Sequence, residues 1–144
     1  MSVVNQNLQF FLNLARIQAV MARRFDSRLG GGLGFNDFVI LHHLNQAEGG
    51  KMRRGDLAEA IGLTASGVTR LLAPMEKIGL IQREADARDA RVSFVMLAPG
   101  GKRLLSERQE RAEMLSEEVI PRALADRIGE YSEALSKISG NLTV

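Results

Sequence analysis

The chain has 144 residues, enough for about one ordinary domain with a real core. Its 45% hydrophobic and 25% charged residues are those of a folded chain rather than a disordered one, and the absence of cysteine excludes disulfides, Cys-ligated zinc and thiol redox sensing. With 19 Lys plus Arg against 17 Asp plus Glu the net charge is only +2, so an acidic partner would have to be recognised by where the basic residues stand rather than by bulk charge.

From Gln6 to Leu29 an apolar stripe (Leu8, Phe11, Leu12, Ala15, Ala19, Ala22, Phe25 and Leu29) recurs at steps of three and four, predicting one long helix that Gly30-Gly31-Gly32 stops. A second helix is expected from Phe35 to Gln46, with Phe38, Leu41 and Leu44 on its inner face and Glu48-Gly49-Gly50 as its end. A short third helix is expected from Arg54 to Ile61, and a fourth from Thr64 to Ile78. After Gly79 the period changes: Leu80–Glu84 and Val92–Leu97 read as two strands of a hairpin around the charged loop Ala85–Arg91. Pro99-Gly100-Gly101 opens a charged helix to about Val119, and Pro121 suits the first position of a last one. There Leu124, Ile128, Tyr131, Leu135 and Ile138 keep heptad-like spacing. The first and last helices each carry a narrow apolar stripe that one chain leaves wet, which points to a second copy as partner.

The stretch Arg54–Leu72 carries the functional signal. Leu57 and Ile61 lie on one face of a short helix with the small Ala58 beside them. Gly62 suits the corner, Leu63 plugs it, Thr64 can cap the next helix, and Val68, Leu71, Leu72 and Met75 form that helix's inner face. Two helices crossing over so short a turn need a small residue at the contact, a flexible one at the corner and apolar inner faces, which is the helix-turn-helix. The outward residues from Thr64 onward (Ala65, Ser66, Gly67, Thr69 and Arg70) are small or hydrogen-bonding, as in a helix that enters a DNA major groove by its N-terminus. Ser66 and Thr69 can reach phosphates or base edges, and Arg70 can pair with guanine through two hydrogen bonds. The hairpin then reads as a wing: Arg88 and Arg91 can reach a minor groove, with Asp89 orienting one of them.

Other chemistry is poorly represented. His42 and His43 are adjacent and so point about 100° apart on a helix, unsuited to one metal ion, and no nucleophile motif or phosphate loop is present. Gly30–Gly34 lacks the preceding strand of a dinucleotide site. No cofactor, metal or catalytic residue is implied. With neither a signal segment nor a long apolar run, the chain is expected in the cytoplasm and off the membrane.

Several stretches together resemble the MarR family of transcriptional regulators over nearly the whole chain. They are Leu33, Phe38 and Leu41; Asp56-Leu57-Ala58; Ser66 to Leu72; Glu76 to Ile81; Asp86, Asp89 and Arg91 at the Asp-x-x-Asp-x-Arg spacing; and Leu97 with Gly101. The resemblance implies a homodimer held by its terminal helices that binds double-stranded DNA, usually as a repressor, and is released by a small aromatic or anionic effector. It departs from the pattern at Ala90, where a second Arg is common, and at Ala98, where a capping Thr is common. Pro74 falls inside the fourth helix and is expected to kink or shorten it. The reading is therefore a mainly α winged helix-turn-helix with one β-hairpin wing and N- and C-terminal dimerisation helices. Its single domain, 1–144, divides into a winged lobe, 33–99, and a helical dimerisation region, 1–32 and 100–144. The rival is a winged helix used for protein–protein contact, which the small net charge would suit.

Overall fold

The computed structural model describes residues 5–141, so the first four and last three residues of the expected domain lie outside it. Its order is α1 (Gln6–Arg28), α2 (Phe35–Gln46), β1 (Lys51–Arg53), α3 (Arg54–Ile61), α4 (Ala65–Lys77), β2 (Ile81–Ala85), β3 (Ser93–Leu97), α5 (Pro99–Glu118), α6 (Arg122–Ala125) and α7 (Ile128–Asn141). This is the mainly helical, winged architecture expected, with one strand more than the hairpin alone.

That strand, β1, is only three residues long. Gly49 and Gly50, at φ of 72° and 71° within the single 3-10 turn Glu48–Gly50, turn the chain so that Lys51–Arg53 falls against the open edge of β3. The sheet is antiparallel in the order β1-β3-β2, with Met52 opposite Val95, Arg53 opposite Phe94 and Ile81 opposite Leu97. A Lys-Met-Arg segment carries no alternation of its own; pairing with β3 makes it a strand.

The core lies where α2, α3, α4 and α5 meet the inner sheet face, around Ile40, Leu41, Leu44, Leu57, Val68, Leu72, Met75 and Val95, all essentially without solvent exposure. Only the C-terminal part of α1 joins it, through Met21, Phe25 and the C-cap Leu29. The rest of the α1 stripe is open: Leu8, Phe11 and Leu12 are about half exposed. Leu124, Ile128, Tyr131 and Leu135 are exposed on α6 and α7 as well.

Two helix expectations need correction. Pro121 is an N-cap rather than a first helical residue, and the expected last helix is two. At the junction, Arg127 N–H bonds the Leu124 carbonyl and Glu130 N–H bonds the Arg127 carbonyl, each three residues back. This tightening coincides with Gly129, a poor helix former. Conversely, α4 runs through Pro74 to Lys77. Proline forfeits only the bond to the Arg70 carbonyl, and packing of Leu72 and Met75 in the core holds the final turn in place.

At the start of α5, Ala98 is the N-cap and supplies no side-chain cap, as its methyl group dictates, and Pro99 follows at the first turn. Among the described residues, no helix is long and apolar enough to cross a membrane.

Candidate nucleic-acid interface

α3 and α4 meet as the spacing requires. Leu57 and Ala58 are buried on α3, and Val68 is buried on α4. Gly62 takes the left-handed conformation, φ 74° and ψ 28°, and the Leu63 N–H closes the turn on the Ala58 carbonyl at 2.9 Å. The Leu63 side chain does not plug the corner: it is 41% exposed. Its backbone closes the turn while Ala58 and Val68 already fill the inside.

Thr64 is the N-cap of α4; its Oγ1 accepts from the Gly67 N–H at 3.1 Å and lies 3.2 Å from Ser66 Oγ. Thr64→Ala is expected to cost about 1 kcal/mol, measured by urea unfolding, because a first-turn N–H then loses its acceptor.

Ala65, Ser66 and Arg70 are exposed, and Gly67 and Thr69 are half-buried on the same outward side of α4. Among the described residues, the Arg70 side chain makes no hydrogen bond or ion pair. The Thr69 hydroxyl is committed: it donates to the Ala65 carbonyl at 2.9 Å and accepts from Arg54 Nη1 at 3.4 Å. What Thr69 presents outward is therefore chiefly its methyl group.

The wing is shaped by two aspartates. Asp86 Oδ1 accepts from the Arg88 N–H at 2.7 Å, and Asp89 Oδ1 accepts from the Arg91 N–H at 3.0 Å. Asp89 also holds the Arg91 guanidinium through both carboxylate oxygens, Nε at 3.1 Å and Nη2 at 3.2 Å. These bonds, with the more distant charge of Arg53, hold the Asp89 carboxyl below its ordinary pKa. Arg91 is thus the arginine that Asp89 orients, although its side chain is 90% exposed. Arg88 is exposed at the tip.

The MarR family model matches residues 31–92, which contain α2 to α4, the sheet's first two strands and the wing loop. The fold is that of solved transcriptional regulators. BldR from Sulfolobus solfataricus is 27% identical over 99% of this chain and 100% of its own, with a TM-score of 0.78. A mutant MarR from E. coli, complexed with operator DNA, is 17% identical over 96% and 99% of the two chains, with a TM-score of 0.74. BpsR from Bordetella bronchiseptica, whose DNA binding is regulated by 6-hydroxynicotinic acid, is 21% identical over 89% and 98%, with a TM-score of 0.76.

Over residues 31–92 the chain is similar to the MarR family.

Beside the winged lobe lies a cavity of about 240 Å³ between α1, α2 and α5. Phe25, Phe35, Phe38, Val39 and Ala112 supply apolar walls, and His42, His43, Gln109, Glu113 and Ser116 supply polar groups. The His42 ring stacks on Phe38 with centroids 6.4 Å apart, and His43 Nδ1 lies 3.0 Å from the Val39 carbonyl. With Nδ1–H donated there, His43 keeps Nε2 as an acceptor. Sequence reasoning assigned no pocket residues. Phe25 and Phe38 read as ordinary core and Phe35 only as the start of a helix, and only the packing of α5 across α1 and α2 brings Gln109 and Glu113 to the histidines.

Proposed function

We propose that this chain is a cytoplasmic, homodimeric, sequence-specific double-stranded DNA-binding regulator without catalytic activity. It acts as a repressor that a small effector releases. The observation that carries the reading is the pairing of two exposed features in a chain whose winged lobe matches the MarR family model. One is the small N-terminal face of α4 with Arg70 beside it; the other is the exposed Arg91 side chain, held in place on the wing by Asp89.

Ala65 and Gly67 let the backbone of α4 approach base edges, with Thr64 and Ser66 within reach of phosphates. Arg70 supplies the base-reading cation in the major groove. Arg91 and Arg88 reach the neighbouring minor groove, whose negative potential attracts them. Two chains paired through α1, α6 and α7 place two α4 helices in successive major grooves, so the operator is pseudo-palindromic, with half-sites about 34–36 Å apart.

The cavity is the effector site in this scheme, since it joins α1 and α5 of the helical region to α2 of the winged lobe. Three phenylalanine rings favour an aromatic guest. An anionic group on that guest can accept an N–H from the His42 imidazole, and a hydroxyl on it can donate to His43 Nε2. Release follows only when the guest binds one spacing of the lobes better than the other.

The test is fluorescence anisotropy on a duplex from the gene's own upstream region, against a scrambled duplex. The native duplex is expected to bind more tightly. Arg70→Ala should cost about 1–3 kcal/mol on it, roughly 5- to 150-fold in Kd, and Arg91→Ala should weaken it too. Equal weak binding of both duplexes, repeated on genome-selected DNA and indifferent to both arginines, would transfer the winged lobe to protein–protein contact.

A further inference from the structure

Arg53 and Arg54 are neighbours in sequence, yet their side chains run to different halves of the interface. Arg53 ends β1 opposite Phe94, and its guanidinium carbon stands 6.0 Å from the Phe94 ring centroid. Lys51 shares that ring at 4.7 Å, but its charge is met by Glu84 at 3.3 Å. Among the described residues, Arg53 has no such carboxylate partner, and its charge is felt at Asp89 in the wing. Arg54 opens α3 and leans the other way: Nη1 reaches Thr69 on α4 at 3.4 Å, while Nε is buried without an acceptor among the described residues. One long bond leaves the Nη2 donors of this guanidinium uncommitted.

The position of the pair decides what it can touch. With α4 in a major groove and the wing in the adjacent minor groove, the strand of DNA that separates the two grooves passes between them. Its exposed groups there are phosphates, not base edges. We propose that Arg53 and Arg54 form a phosphate clamp on that strand. In it Arg53 is steadied by Phe94 and Arg54 by Thr69, and the clamp fixes the register of both reading elements without reading sequence. This rests on the DNA-binding reading above and adds to it a contact that belongs to neither the recognition helix nor the wing tip.

Phosphate contacts differ from base contacts in one measurable respect: they release counterions on any sequence. Each contact contributes about 0.9 to the slope of log Kd against log salt. A two-fold dimer that loses one contact per protomer therefore loses about 1.8. Between 50 and 200 mM salt, the advantage of the unaltered protein over such a variant then shrinks by roughly 12-fold.

The experiment measures that slope by anisotropy for the full-length protein on its preferred duplex and on a scrambled one. The variants are Arg53→Ala and Arg54→Gln, the latter keeping a polar side chain for Thr69, with Arg54→Lys as the charge-retaining form. Arg111→Ala, at an exposed position on α5, controls for the loss of one positive charge. The expected result is a lower slope for Arg53→Ala and Arg54→Gln on both duplexes. The ratio of preferred to scrambled binding should be unchanged, the slope restored in Arg54→Lys, and no effect seen in the control. A wild-type preference for its duplex with an unchanged slope in both variants overturns the clamp and leaves the DNA-binding reading standing. Loss of preference with an unchanged slope makes the arginines base readers and also overturns it. Absence of salt-dependent binding to either duplex by the unaltered protein overturns both.

Discussion

Gly101→Ala is expected to destabilise the fold by about 3 kcal/mol, near the upper end for overpacking, and to lower the Tm by roughly 6–12 °C. A Cβ at Gly101 would lie far inside van der Waals contact distance of the Leu80 carbonyl oxygen, 3.0 Å from its carbon and 3.4 Å from Leu41 Cδ2. The obstacle is main chain, so no rotamer relieves it. The same Leu80 carbonyl accepts the Ala98 N–H at 3.0 Å, which fastens the start of α5 to the residue leading into β2. Moving Leu80 therefore moves the root of the wing, and DNA affinity should fall together with stability. Gly55→Ala is the contrast. Nothing lies within 4 Å of a Cβ there, on the first turn of α3. Alanine should be neutral or stabilising by about 0.5 kcal/mol through its helix propensity. Chemical denaturation of the two variants beside the parent decides the matter. A Gly101→Ala protein within 1 kcal/mol of the parent would mean that α5 and Leu80 are less closely packed than the structure has them.

Gly101 also illustrates what kind of information the sequence carries. Its place after the hairpin belonged to the family resemblance, but the reason for a glycine is the backbone approach of Leu80, twenty-one positions earlier, which no local pattern encodes. Local patterns were sufficient where one segment decides its own state. The Thr64 cap, the Gly62 corner and the buried faces of α3 and α4 follow from spacing and side-chain size. They failed where a partner decides. β1 exists because β3 has a free edge, and α4 continues past Pro74 because Leu72 and Met75 are already anchored. The interface shows the same division. Arg91 on Asp89 is a two-residue relation within one loop and was readable. The engagement of Thr69 by Arg54, fifteen positions away, was not. Nor was the cavity, whose walls come from three helices.

Replacing Ile128 and Leu135 together by Asp is expected to convert the protein from dimer to monomer and to weaken binding to its preferred duplex by about 10²- to 10⁴-fold. The two side chains are 43% and 39% exposed on α7, and Tyr131 and Leu124 continue the stripe. Across from it in sequence, Leu8, Phe11, Leu12 and Ile17 are open along α1. Burying each large apolar side chain contributes about 1.5–3 kcal/mol, so a second copy laid on these helices recovers a substantial free energy that one chain forgoes. A carboxylate placed in that contact would have to be desolvated without a partner, which reverses the sign. DNA affinity falls with it because the second lobe's binding is intramolecular only while the first holds the operator through the dimer. Sedimentation reads the assembly state and anisotropy reads the affinity. Thermal unfolding of the variant monitors the winged lobe, whose core contains neither residue. A folded monomeric variant that still binds the full operator as tightly as the parent would show that one lobe suffices. A parent that sediments as a monomer at micromolar concentration would leave the α1 and α7 stripes to be covered by a different partner, and the pseudo-palindrome would lose its physical basis.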